Sequence, residues 1–290
     1  MLKPALRLIS AIVVITLVSF TVSSQRYPIR LDRSERAGER YHLLATSTEK
    51  TTANVTVSDQ VLKKDEDVVA VELSADVTIL EAGSNNWATR KRFTVLSSKL
   101  TRAGSTGPIL PNGTEVIASI KNGQTAYEVK QKPVDEEVAK ALRSVISLHL
   151  ASVADDDMFG TPTPKKIGES WPVSVDAMKK LLKEMNAQGG RQEITGSGRL
   201  ENVVDNHVFV RSSINVRDVL LLIAPELTTE SGEIETELSG RFPLLQRDRT
   251  QESSGRIYLS RVGSGFNADG KKVKLLIVYE RTSRYEIRPL

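Results

Sequence analysis

The clearest pattern in the chain runs over residues 69–80. Val69, Val71, Leu73, Ala75, Val77 and Ile79 alternate there with Glu72, Ser74, Asp76 and Thr78. A period of two puts alternate side chains on opposite faces of a sheet, so the stretch predicts a strand with one buried and one solvated face. The same logic returns over 207–217, where Val208, Val210, Ser212, Ile214 and Val216 oppose His207, Phe209, Arg211, Ser213, Asn215 and Arg217. It returns again over 233–242, with Ile234, Thr236, Leu238 and Phe242 against Glu233, Glu235, Glu237 and Arg241. Residues 273–279 are apolar at both parities, which predicts a central strand covered by a helix or an opposing sheet, with 281–287 continuing it or pairing beside it.

Between these runs lie turn signals. Lys121-Asn122-Gly123 separates the stretches 115–120 and 124–130, and Asn-Gly supplies the positive backbone angles of a tight hairpin. Gly83-Ser84-Asn85-Asn86, Pro108 to Gly113, Ser197-Gly198, Ser231-Gly232 and Asn267-Ala268-Asp269-Gly270 read as further breaks. Repeated hairpins favour an antiparallel meander.

Two segments change period. Over 134–150, Val138, Ala141, Leu142, Val145, Ile146 and His149 fall at largely helical spacing behind Asp135, Glu136 and Glu137, which suit a helix N-terminus. The apolar end at 147–153 also reads as strand. Beyond Ser174, a capping residue, Met178, Leu181, Leu182 and Met185 form a stripe with Lys179, Lys180, Lys183 and Glu184 outside it, and Gly189-Gly190 stops the helix. Trp171 anchors its start by packing. Asp155-Asp156-Asp157 with Gly160, Pro162, Pro164 and Gly168 reads as a linker or long surface loop. The fold expected is therefore predominantly β with two amphipathic helices, as an antiparallel curved sheet or incomplete barrel, with α+β as the alternative.

The N-terminus alters the setting. Lys3 and Arg7 precede an apolar stretch from Leu8 to Phe20, and small residues at Val22-Ser23-Ser24-Gln25 offer a cut after Ser24, the pattern of a signal peptide. A membrane anchor would need about 20 apolar residues, more than this stretch holds. The organisation expected is a signal peptide over 1–24, a solvated, flexible lead-in over 25–40 rich in Arg, Asp and Glu, a β-rich part with a helix over 41–154, and a helix plus C-terminal β-rich part over 155–290, the last two allowed to form one domain. Export, to the periplasm or outside the cell, is the localisation this predicts.

Composition excludes more than it assigns. No cysteine occurs, so disulfides, thiolate metal sites and cysteine nucleophiles are ruled out. The 40 basic and 36 acidic residues give a formal charge of +4, and their interspersion supplies no nucleic-acid signature. Outside the signal, no apolar run reaches spanning length, which argues against a multispan protein.

Candidate chemistry is sparse. His42, His149 and His207 lack a diagnostic local partner and read as packing or surface hydrogen bonding. Asp155 to Asp157 lack the spacing of a calcium loop, and Glu233, Glu235 and Glu237 share one sheet face where repulsion favours solvent. Gly263-Ser264-Gly265 and Thr195-Gly196-Ser197-Gly198 lack the context of a nucleophile elbow or phosphate loop and read as turns or bulges. Arg90-Lys91-Arg92, beside Trp87 and Phe93, reads as a solvated edge able to attract anionic lipid or polysaccharide, and the C-terminal part adds Arg241, Arg247, Arg249, Arg256 and Arg261. Asn54-Val55-Thr56 and Asn112-Gly113-Thr114 match glycosylation sequons, relevant only in a eukaryotic secretory pathway. No catalytic, cofactor or metal residue is assigned. The residues put forward for ligand or partner contact are Trp87, Arg90, Arg92, Trp171, Met178 and Met185.

Long antiparallel strands with one or two amphipathic helices can form a curved sheet over an apolar pocket. In export, size and element order, across most of the mature chain, this arrangement loosely resembles the carriers of lipids or lipoproteins in bacterial envelopes. No motif carries binding residues across. The function expected is a noncatalytic exported protein that binds an apolar or amphipathic envelope component, such as a lipid. A structural or interaction module contacting an envelope protein is the alternative, and an enzyme acting on a cell-surface polymer comes third.

Overall fold

The computed structural model describes residues 25–290 apart from 33, 59, 84–86, 147, 149–152, 188–191, 222, 224–226 and 246–249. The signal peptide with its cut after Ser24, the Ser84-Asn85-Asn86 turn, His149, the Gly189-Gly190 stop, Arg247 and Arg249 lie outside the described residues, as does most of 147–152.

In chain order the strands are β1 (Tyr27–Ile29), β2 (Arg40–Val57), β3 (Gln60–Ala82), β4 (Ala88–Arg102), β5 (Ser105–Gly107), β6 (Glu115–Lys121), β7 (Gln124–Val129) and β8 (Lys132–Pro133). Helices α1 (Glu136–Val145) and α2 (Asp155–Phe159) follow, then β9 (Thr161–Lys165), β10 (Ser170–Pro172) and α3 (Val175–Glu184). The chain ends in β11 (Glu193–Val204), β12 (His207–Arg217), β13 (Thr228–Pro243), β14 (Gln251–Phe266) and β15 (Lys272–Pro289). Thirteen strands make one open antiparallel sheet in the order β10-β11-β12-β13-β14-β15-β2-β3-β4-β6-β7-β8, with β5 beside β4. The predicted β-rich curved sheet is what the chain forms. Its last strand closes on its first long one, from Val273 opposite Val57 to Pro289 opposite Tyr41, so the two β-rich parts share one sheet.

Register settles where the core lies. Leu200 stands opposite Val210, Val210 opposite Gly240, Gly240 opposite Ser253, Ser253 opposite Tyr285, Tyr285 opposite Ala45 and Ala45 opposite Leu73. Directly opposed residues point to the same side, so this row defines a single face crossing the whole sheet. Both hydrophobic cores sit on it. The first gathers Val71, Ile79, Phe93, Val95 and Val116 beneath Leu142 and Val145 of α1. The second gathers Leu200, Val210, Ile214 and Val216 beneath Trp171, Met178 and Leu182.

The helices begin where capping chemistry expects. The Asp135 carboxylate accepts from the Val138 N–H at 2.8 Å, and the Ser174 hydroxyl from the Ala177 N–H at 3.2 Å. α1 stops at Val145, short of the predicted 134–150, because Ile146 turns extended and its carbonyl accepts from the Tyr127 hydroxyl.

Four regions differ from the sequence reading. The lead-in is bound rather than solvated: β1 pairs with β9, and Ile29 and Leu31 are buried in the second core. Tyr27, Ile29 and Leu31 form a short period-two stripe that the surrounding charges hide. The supposed linker is likewise ordered. α2 buries Met158 and Phe159, the Leu31 N–H donates to Asp156 at 2.6 Å, and the Asp156 N–H donates to Asp32 at 2.8 Å.

The glycine-rich breaks lie inside strands. Gly196 and Gly198 are in β11, where a Cβ on Gly198 would come within 2.4 Å of the Trp171 ring, so the glycine is a seat for the indole. Gly232 lies in β13 beside a bulge and Gly263-Ser264-Gly265 in β14, while Asn122-Gly123 and Asn267 to Gly270 are true turns. Finally, 273–279 is central in the sheet but stays half-buried at both parities, and the helix or opposing sheet expected over it is absent among the described residues.

Candidate functional site

The row beside the core row points the other way. Arg199, Arg211, Ser239, Ser254, Arg284, Thr46 and Glu72 are successive cross-strand partners on the uncapped face. Those from Arg199 to Arg284 floor two adjoining depressions of about 670 and 660 Å³, which share Glu201, Arg211, Ser239 and Ser254. A third, of about 340 Å³, continues over Leu44, Ser74 and Ser97 and shares Arg284 with the first.

This floor is rich in guanidinium. Arg199 stands directly opposite Arg211, a like-charge pair that costs stability on an isolated sheet. Arg199 has Glu201 at 3.9 Å, and Arg256 is bound to Glu280 at 2.9 Å. Arg211 and Arg284 have no carboxylate within 4.0 Å among the described residues. Arg241 lies 5.9 Å above the Phe209 ring and 3.9 Å from Asp205, and its Nε is buried with no hydrogen-bond partner among the described residues. Its Nη2 is 3.5 Å from His207 Nδ1, which itself sits 2.7 Å from the Asp205 carbonyl. A proton on Nδ1 serving that carbonyl leaves this ring nitrogen no lone pair for the Arg241 Nη2. Uncommitted donors of one sign at an open depression suit an anion.

Followed along β14 and β15, the same face changes character. Past Arg256, Tyr258 and Glu280 it reaches Val262 opposite Leu276, with Val278 next along β15, all half-buried. The strand ends carry Phe266 and Val61. At about 3.3 Å per residue, Val278 lies about 20 Å from Arg284. One surface therefore joins an arginine-lined end to an apolar end. Glu233, Glu235 and Glu237 lie between and are partly compensated: Asn215 donates to Glu233 at 3.2 Å and to Glu235 at 3.4 Å, and Arg217 lies 3.6 Å from Glu233.

The residues put forward from sequence do not meet here. Arg90 is exposed and bound to Glu81 at 3.1 Å, Arg92 is exposed on the same strand, and Trp87 is half-buried just before it. Lys91 turns inward to Glu35 at 2.7 Å. Burial alone would depress its ammonium, but Tyr41 and Glu35 reverse this and hold it above its usual value. Trp171 is closed in the second core with its N–H donated to the Phe159 carbonyl at 2.8 Å, Met178 is buried beside it, and Met185 is exposed at the end of α3. The arginines of the actual depression were visible as outward positions of β12 and β13, but cross-strand register is not local in sequence.

One constellation escaped sequence reading altogether. Ser74 Oγ lies 3.4 Å from His42 Nε2, and His42 Nδ1 lies 3.1 Å from Asp76. This is the order of a hydrolytic triad. Ser74, however, sits in the middle of β3, and among the described residues no turn or helix N-terminus beside it aims N–H groups at a developing oxyanion. The trio ties β2 to β3.

No protein family and no curated protein matches the chain. Among solved structures, one described as showing lipid–protein interactions in lipovitellin matches at 9% identity and a TM-score of 0.29, covering 87% of this chain and 25% of the other. An outer membrane channel from Pseudomonas putida F1 matches at 7% identity and a TM-score of 0.18, covering 89% and 99%. Likenesses this slight leave function to the chain's own surfaces.

Proposed function

We propose that this is an exported protein that binds an amphipathic envelope molecule, with its anionic head on the arginine-lined depression and its apolar part along β14 and β15. The carrying observation is that the guanidinium groups of Arg211 and Arg284, with no carboxylate within 4.0 Å among the described residues, lie on the same face as Val262, Leu276 and Val278. A head group recovers charge-assisted hydrogen bonds there, while half-exposed aliphatic carbon supplies the apolar contact. Binding rather than turnover fits the site, because Ser74 lacks an oxyanion cradle.

The test is native mass spectrometry of protein purified gently from its own compartment, followed by denaturation and analysis of what is released. A co-purifying anionic amphiphile, lost from Arg211→Glu/Arg284→Glu, supports the reading. Protein free of ligand, with equal affinity of wild type and variant for an added anionic amphiphile, removes it. Stoichiometric labelling of Ser74 by a fluorophosphonate would instead make the face an esterase site.

A further inference from the structure

The two longest hairpins end side by side. The β2–β3 turn and the β14–β15 turn are joined by the Ser58 N–H donating to the Lys272 carbonyl at 3.2 Å, and Val57 stands opposite Val273. The second turn is also tied internally: the Asn267 carboxamide oxygen accepts from the Asp269 and Lys271 N–H groups at 3.1 and 2.9 Å. This is a braced edge, and it displays apolar side chains. Phe266 is 77% exposed, Val61 67% and Leu62 66%.

Basic residues surround them. Lys63, Lys64, Lys271, Lys272 and Lys274 are all exposed. Lys64, Lys271 and Lys272 have no carboxylate within 4.0 Å among the described residues, while Lys63 pairs with Asp65 at 2.6 Å and Lys274 lies 3.9 Å from Glu230. The acids Asp65, Glu66 and Asp67 follow further back along β3, and Glu66 and Asp67 are engaged by Lys50 and Arg102. One exposed acid, Asp269, shares the β14–β15 turn, and the five lysines around the tips outnumber it. Apolar tips within such a collar of ammonium groups match an anionic bilayer surface, where lysine stems extend along the hydrocarbon and their heads meet phosphate.

We infer that the paired hairpin tips dock the protein on an anionic membrane surface, with Phe266, Val61 and Leu62 entering the headgroup region. Phe266 and Val61 lie on the same face as Val262, Leu276 and Val278, so the docked edge opens directly onto the apolar end of the ligand face. The inference deepens the carrier reading and rests on it only for the direction in which a ligand would pass.

Phe266→Trp, in protein purified from its own compartment, reads the contact itself. Vesicles of phosphatidylcholine containing phosphatidylglycerol should shift its emission to the blue relative to wild type, and brominated acyl chains should quench it. Pure phosphatidylcholine should do so at least about tenfold more weakly. Phe266→Ser/Val61→Ser should weaken vesicle binding about tenfold or more, because each loses the burial of a large apolar side chain. Lys271→Glu/Lys272→Glu should abolish the preference for phosphatidylglycerol. Emission from the Phe266→Trp variant that neither shifts nor is quenched overturns docking, as does a doubling of mass without lipid that Phe266→Ser abolishes, which would assign the tips to a second copy. Insertion by protein that carries no ligand, with wild type and Arg211→Glu/Arg284→Glu binding an added anionic amphiphile equally, would leave docking standing and remove the carrier reading alone.

Discussion

The two ends of the sheet and its middle are built from similar residues to different effect. At the ends, α1 and α3 cover the apolar face, and Phe93, Leu142, Met178, Leu182 and Leu200 are fully enclosed. In the middle, β14 and β15 carry Leu259, Val262, Leu275, Leu276, Ile277 and Val278, and all remain half-buried. The ends gain the full transfer energy of their side chains. The middle leaves part of it unrealised, although its strands are paired along nearly their whole length. Apolar surface that hydrogen bonding holds in place, and that no helix or second sheet among the described residues covers, is where a partner gains most.

The comparison is broken most severely at the covered ends. Trp171→Ala removes the indole that Gly198 accommodates and its bond to Phe159, and should cost about 3–5 kcal/mol in denaturant unfolding. Leu276→Ser, in the middle, should cost well under half of that. Equal losses at the two sites would show that the middle is packed after all. Next in size is Glu35→Ala, which leaves the Lys91 ammonium without its carboxylate and the Ala88 N–H without its acceptor, for about 3 kcal/mol. Lys91 is held above its ordinary value, so wherever Glu35 carries its charge the lysine's contribution is full below that ordinary value and is lost as pH rises through the raised one. On the alkaline side, wild type should therefore keep this increment past neutrality and lose it in strong alkali. A denaturation midpoint that fell already near neutrality would contradict the assignment.

How far the sequence foretold this contrast depends on the range of the signal. Period-two stripes in β3, β12 and β13 and the Asn122-Gly123 turn are local, and they appear where residue pattern placed them. The seat of Trp171 on Gly198 joins residues 27 positions apart in the chain, so a glycine pair that looks like a break in isolation proves to be strand. The Asp205-Asn206 turn between β11 and β12, with φ of 50° and 60°, was legible in principle, because Asp and Asn tolerate that backbone. The arginine row was not legible. Arg211 and Arg284 become neighbours only through the chain of registers across β12, β13, β14 and β15. The bareness of the middle was illegible too, because a stretch apolar at both parities looks the same whether or not a third layer covers it.

Smaller effects sharpen the comparison from the polar face. Arg211→Ala/Arg284→Ala should leave the unfolding midpoint within about 0.5 kcal/mol of wild type, since neither guanidinium pairs with a carboxylate, while affinity for an anionic amphiphile falls about tenfold. Stability lost in parallel with affinity would mean that the arginines hold the sheet together rather than a ligand.

The smallest effect concerns how the lead-in is fastened to the second end. Glu169 accepts from the Lys166 N–H and faces Lys165 and Arg26, and these partners hold its carboxyl below the usual range. A lowered value means that its contribution is present above the unfolded value and disappears as pH falls through the folded one. Asp156, raised chiefly by burial and only partly restored by the Leu31 N–H, has the opposite sign: its contribution is greatest in acid and lessens as pH rises through its raised value. The two carboxylates hold the same segment from either side of α2 and β9, so acidification first relieves Asp156 and only then releases Glu169. Amide exchange in β1, compared at matched pH, should thus be protected down to the ordinary carboxylate range and lost below it. Glu169→Gln should show the weaker protection already at neutral pH, without changing exchange in β14 and β15. Coupled loss in the middle strands would show that the lead-in braces the whole sheet instead of one end.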